Sequence, residues 1–193
     1  MDTQNVTFKL FVADSASAAP HDVTRAFHRW IQERALDELL IDVADYAHVH
    51  GGPGVLLVAH EAHYGFEHGS DGRLGLKYAR KRGAAGSLGE RIGVALKKVV
   101  RAARLLETDP ALALRFRSDE LRFSIEDRLR APNDEGTLAT VTAALVPVLE
   151  AAFGVAPALT QAQRHGQAAR EPFAVDVRLP GALSLEDAAK RLD

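Results

Sequence analysis

Apolar residues fall at every second position in Val6, Phe8, Leu10 and Val12, which predicts a strand over 6–12. Asp22 then offers an N-cap, and Val23, Phe27, Trp30 and Ile31 recur at helical spacing, predicting a helix to residue 36. Two β-rich runs, 39–49 and 55–67, flank His50-Gly51-Gly52-Pro53-Gly54, whose glycine and proline density marks a hairpin turn. A second turn at His68-Gly69-Ser70-Asp71-Gly72 leads to a strand over 73–82, so three antiparallel strands form a meander. Ser87-Leu88-Gly89-Glu90 has the form of a capping box. The helix it opens places Ile92, Leu96, Val99, Ala103 and Leu106 on one stripe and stops at Thr108-Asp109-Pro110. Leu112, Leu114 and Phe116, then Leu121, Phe123 and Ile125, alternate on either side of Ser118-Asp119 and predict a second hairpin. A helix over 135–153 follows, closed by Gly154 and carrying Pro147 as a predicted kink. Residues 158–164 and 172–179 read as strands, and Ser184 caps a short last helix.

The predicted order is β-α-β-β-β-α-β-β-α-β-β-α. Hairpins dominate and no βαβ unit repeats, so the fold class is α+β, with a mixed or mostly antiparallel sheet. About four helices should pack mainly on one face, each burying a single stripe. Residues 1–193 form one domain, with 1–107 and 108–193 as candidate halves sharing one sheet or core.

The composition of the 193 residues, 47% hydrophobic and 26% charged, is that of a globular chain and argues against intrinsic disorder. The absence of cysteine removes disulfides, iron–sulfur clusters, thiolate zinc sites and a cysteine nucleophile. No uninterrupted apolar run of ~20 residues is evident, so no membrane span is expected. Ser15-Ala16-Ser17-Ala18-Ala19-Pro20 resembles a signal-peptidase site, yet Met1-Asp2-Thr3-Gln4-Asn5 carries no cation and the next segment alternates like a strand. The expected localisation is cytoplasmic, without processing.

A formal charge of −2 hides a strong segregation. Residues 73–104 hold ten cations against Glu90 alone, a local charge of +9 that leaves −11 for the rest of the chain. On the central helix Arg91, Lys97, Lys98, Arg101 and Arg104 fall opposite the apolar stripe, and Lys97–Arg101 is a like-charge i,i+4 pair. Just upstream, Arg80, Lys81 and Arg82 lead through the small residues 83–86, bounded by Gly83 and Gly86, to a helix N-terminus. Free amides there suit an anion, although the capping box competes for them. The segment lacks the P-loop pattern and any dinucleotide fingerprint. An anionic partner is therefore expected: another protein's acidic surface, a second copy supplying residues such as Asp119 and Glu126, or a phosphate-bearing ligand. Nucleic acid has weaker support, because Tyr78 is the segment's one aromatic residue.

Five of eight histidines lie between 48 and 68. If His50 pairs with Val55, His60 falls opposite Asp45 and His63 opposite Asp42, so Asp42, His48, Glu61 and His63 share one face. Those four could hold a divalent metal that activates a water, and an Asp45–His60 pair could serve as an oriented general base. The competing reading is a polar sheet face with one satisfied pair. His60-Glu61-Ala62-His63 is not the H-E-x-x-H of zinc proteases.

No G-x-S-x-G elbow occurs, and Trp30 belongs to a core stripe. The runs His28-Arg29-Trp30-Ile31-Gln32, Leu40-Ile41-Asp42-Val43-Ala44-Asp45-Tyr46 and Gly52-Pro53-Gly54-Val55-Leu56-Leu57, with the later Arg128-Leu129-Arg130-Ala131-Pro132-Asn133, resemble a family of uncharacterised bacterial proteins. The resemblance implies a bacterial, cytoplasmic protein and assigns no activity and no site residue. Two function classes stay open. The first is a non-enzymatic intracellular binding protein using 73–104, without a cofactor. The second is a metal-dependent, hydrolase-like enzyme using the 39–67 hairpin.

Overall fold

The computed structural model describes residues 5–13, 18–49, 51–69, 72–81, 83, 85–161 and 171–193. Residues 15–17 of the signal-like run, His50, Arg82 and the expected strand end at 162–164 lie outside the described residues. The elements run β1 (Val6–Val12), α1 (Pro20–Glu33), β2 (Leu40–Tyr46), β3 (Gly54–Ala59), β4 (Ala62–Glu67), β5 (Gly75–Arg80), α2 (Leu88–Thr108), β6 (Phe116–Ile125), α3 (Glu135–Phe153), β7 (Ala158–Gln161), β8 (Phe173–Arg178) and α4 (Leu185–Leu192).

Eight strands form one sheet in the order β2-β3-β4-β5-β1-β6-β8-β7, and every neighbouring pair is antiparallel. The fold is therefore α+β. Across the sheet, Leu57, Tyr64, Tyr78, Phe8, Phe123 and Val175 stand in one register row, all buried. Helices cover that face: α1 lies on β2 and β3, α2 on β1 and β5, and α3 and α4 pack against α2 and each other. Phe8–Phe123 and Tyr64–Tyr78 meet edge-on with centroids 5.1 Å apart, the geometry that aromatic quadrupoles favour. On the opposite face the neighbouring row runs Gly65, Lys77, Lys9, Arg122 and Asp176, so the two-residue period separates core from charge.

Four expectations are corrected by the coordinates. The run 55–67 is two strands, because Val55, Leu57 and Ala59 keep one phase of alternation and Ala62, Tyr64 and Phe66 keep the other; the slip at His60-Glu61 is a turn. At 112–125 the phase change is absorbed differently. Val12 faces Phe116 while Leu10 faces Leu121, so the expected turn at Ser118-Asp119 is a bulge within the single strand β6. Helix α1 begins at Pro20, which has no amide proton to leave unsatisfied, and Asp22 sits in its first turn. Finally, α3 is long and apolar enough by length and composition to cross a membrane; here it packs on α2 and α4 and runs through Pro147.

Gly54 shows how tightly the β2–β3 turn is specified. Its φ is +62°, and a Cβ there would stand 2.1 Å from the Phe66 carbonyl oxygen. Only glycine combines that conformation with that approach.

Candidate functional site

The histidine hairpin is positioned first by β2. Asp42 pairs with Val58 and Asp45 with Val55, because β2 ends at Tyr46, opposite Gly54, and not at residue 49 as expected; a bulge between Leu40 and Asp42 moves only the far end of the strand. His60 lies in the β3–β4 turn, where its amide donates to the Leu39 carbonyl, and it does not face Asp45. Asp45 accepts instead from the Ala47 amide at 2.9 Å and from Thr24 Oγ1 at 3.4 Å. His63 pairs with Val58 and Ala79, which puts a whole strand between it and Asp42. Its Nδ1 is enclosed, and burial first, then the charge of Lys81, holds its pKa below the ordinary imidazole value. Glu61 takes Arg80 at 3.1 Å, and His48 is exposed beyond the end of β2. Among the described residues no three histidine, aspartate or glutamate side chains come together as a metal-binding group. Asp42, His48, Glu61 and His63 are thus not brought to one point, nor do Asp45 and His60 form the expected pair.

The basic segment is resolved into separate pairings. Arg73 grips Glu120 through two hydrogen bonds of 2.7 and 2.9 Å and lies 3.6 Å above the Phe11 ring. Lys77 stands 3.9 Å from Glu67 and 3.6 Å from Glu126. Arg80 is buried and reaches out to Glu61, whose side chain is half-exposed. Lys98 reaches Glu38 at 3.7 Å and donates to the Asp37 carbonyl. Lys97 pairs with Asp193 at 3.2 Å, and Arg104 with Glu107 and Glu186 at 3.0 and 3.4 Å. The side chains of Lys81 and Arg101 make no hydrogen bond or ion pair with described residues.

At the start of α2 the capping box forms as the sequence predicts. Ser87 N donates to Glu90 Oε2 at 2.6 Å and Glu90 N donates to Ser87 Oγ at 3.3 Å. The Ser87 amide, and then the Ser87 hydroxyl donating to Oε2 at 2.9 Å, hold the Glu90 carboxyl below its ordinary pKa. The Glu90 carboxylate thus takes the Ser87 amide and the Ser87 hydroxyl takes the Glu90 amide, two amides that an anion would need, and a Cβ on Gly86 would stand 2.7 Å from that carboxylate. Gly83 is exposed in the preceding loop, whereas Arg91, expected on the polar side of α2, is buried and lines an open furrow between α2 and α3 of about 580 Å³.

What remains is a groove of about 450 Å³ between α2 and α4. Lys97, Arg101 and Arg104 stand on its α2 side and Lys190 on its α4 side, over a floor of Leu105, Ala189 and Leu192. Its lining carboxylates are Glu186 and Asp193; Lys190 stands 3.0 Å from Glu186 and 3.8 Å from Asp187, and with Glu107 on Arg104 only Arg101 of the four cations has no acid among the described residues. Helical geometry explains the line of charges, since residues 97, 101 and 104 recur at intervals of four and three.

The sequence reading overlooked Lys190, which shares this groove, and Glu38, whose side chain is only 4% exposed. Glu38 accepts from the Tyr64 hydroxyl, and burial followed by the Glu38 charge drives the Tyr64 pKa far up. A polar residue flanked by Leu36, Leu39 and Leu40 was the available signal for Glu38. No family model matches the chain, and no curated protein or solved structure matches it either.

Proposed function

We propose that this chain is a non-enzymatic binding protein whose α2–α4 groove engages an anionic partner. The observation that carries the reading is Arg101, an exposed cation on α2 that makes no hydrogen bond or ion pair with described residues, while its neighbours Lys97, Arg104 and Lys190 are paired with Asp193, Glu107, Glu186 and Asp187. Clustered like charges raise the local concentration of anions and speed their encounter. Acidic protein side chains, on another protein or a second copy, and phosphate groups share the chemistry that such a recess accepts. Arg80 and Lys98 are engaged in internal ion pairs with Glu61 and Glu38, and the capping box engages Ser87 and Glu90 at the start of α2.

Retention on an immobilised polyanion in low salt tests this. Wild-type protein should be retained and should elute as salt rises, whereas Lys97→Gln/Arg101→Gln should elute early and Lys81→Gln should behave as wild type. Equal retention of all three proteins would remove the groove from the function.

A further inference from the structure

We infer that the open edge of the sheet, strand β2, pairs with an extended basic segment of a partner protein, at a site separate from the α2–α4 groove. Strand β2 ends the sheet order and has a neighbour on one side only, β3. The Val43 amide donates to the Asp42 carboxylate at 2.8 Å, so it points away from β3 and out of the sheet. In an antiparallel ladder every second residue shares that direction, which turns the Asp45 backbone outward as well. Past the bulge near its start, β2 therefore offers a regular ladder over residues 42–46.

The side chains along this edge are not those of an edge left to water. Of the six large hydrophobic side chains exposed among the described residues, Leu39, Ile41, Tyr46 and Val49 belong to this strand and its flanks. Residues 37–49 include no lysine and no proline, the residues that guard many sheet edges. Their charge is acidic instead: Asp37, Glu38, Asp42 and Asp45, with no arginine among them. Glu38 is answered by Lys98. Asp42 and Asp45 accept only from backbone amides and Thr24, and make no ion pair among the described residues.

Charge and register together choose the partner. Asp42 stands opposite Val58 on the open face of the sheet, and Asp45 opposite the buried Val55 on the helix face. A strand laid on β2 would thus meet one acid on each face, three positions apart. Lysine or arginine at those two positions, in a run of β-branched residues, satisfies both acids and covers Ile41 and Tyr46. A second copy pairing through the same edge would bring two acidic strands together, which destabilises cross-strand pairs. Recognition of this kind takes affinity from main-chain hydrogen bonds and specificity from alternating side chains.

Fluorescence anisotropy on the full chain, with three labelled peptides of about ten residues, tests the inference. The first is a run of valine and threonine with two lysines three positions apart. The second replaces its lysines by glutamates, and the third is the first with its backbone amides N-methylated. The first should bind at least about tenfold more tightly than either of the others. Asp42→Lys should weaken its binding by about fivefold, while Glu150→Lys, an exposed acid on α3, should leave it unchanged. Val43→Pro removes an amide that β3 does not use and should abolish the binding. Circular dichroism melts establish that each variant is folded, and the N-methylated peptide puts the same question to the unaltered protein. Equal binding of the first and third peptides would overturn the strand pairing, and equal binding of the first and second would overturn the basic partner. Self-association that Val43→Pro removes would make a second copy the occupant and overturn the partner protein, and binding of none of the peptides would overturn the inference as a whole.

Discussion

Removing one oxygen atom, in Tyr64→Phe, tests how the interior of this protein tolerates charge. Tyr64 is fully buried and donates to Glu38, whose carboxylate is itself 4% exposed and lies 3.7 Å from Lys98. The phenylalanine keeps the ring and its edge contact with Tyr78, so packing is nearly unchanged. Lys98 remains as counter-ion, and Coulomb's law with an effective dielectric of ~20 gives their attraction as ~4 kcal/mol before desolvation is subtracted. Glu38 loses one charge-assisted hydrogen bond, a loss of ~2 kcal/mol. For a chain of this size that corresponds to a melting temperature lower by about 4–8 °C. The decisive measurement is a double-mutant cycle by thermal or urea unfolding. In a Glu38→Leu background the Tyr64 hydroxyl is an orphaned buried donor, so the same substitution should become neutral or stabilising. A melt within about 1 °C of wild type, or an equal cost in both backgrounds, would refute this account of the cluster.

Two further outcomes follow from local geometry. Gly54→Ala should destabilise the fold by well over ~1 kcal/mol, since it combines a left-handed backbone with a clash against the Phe66 carbonyl; Gly51→Ala has a similar φ of +68° but open space, and should cost only about 1 kcal/mol by urea titration. The Tyr78 pKa is pushed up to about 12, chiefly by burial and then by the Glu38 charge. Because the folded value exceeds the unfolded one, the contribution is whole below pH ~10 and is lost as pH rises from there towards the folded value. Urea midpoints measured across that window should fall more steeply for wild type than for Tyr78→Phe, and parallel slopes would contradict the assignment.

Periodicity carried most of the fold. Alternation located the strands because this sheet has one apolar face, and the Ser87–Glu90 box marked the start of α2 because capping is a local hydrogen-bond problem that four residues solve. Register was not legible in the same way. Strand β2 ends at Tyr46, opposite Gly54, so Asp45 meets Val55 instead of His60, and nothing within the strand announces where it stops. The phase slip at His60-Glu61 was visible, but read as one run it placed His60 opposite Asp45, and the candidate catalytic pair arose from that placement. Charge pairing was the least legible of all. Arg73 meets Glu120, Lys98 meets Glu38 and Arg122 meets Asp176, partners at least 47 residues apart that only the assembled fold brings together.

The same long-range pairing explains why a segment carrying +9 does not form a basic face. Strand β5 lies between β4 and β1, so Lys77 finds acids on β4 and just beyond β6, while Arg80 turns to the β3–β4 turn. Helix α2 finds Glu38 on one side and α4 on the other. Segregated charge along the chain thus becomes a set of contacts between the basic segment and the acidic remainder, each exposed pair worth only ~0–1 kcal/mol but together favouring one arrangement of elements over others. Function is then to be sought where the pairing stops. Lys81 stands alone in an exposed connection, and a lone solvated lysine requires no explanation. Arg101 differs, because it is held on a helix beside Lys97 at i−4, a repulsive spacing that costs ~0.2–0.5 kcal/mol, and shares its recess with two more cations. Neutral glutamine at 101 would fit the same surface and relieve that repulsion, so Arg101→Gln should leave the melting temperature unchanged or slightly higher.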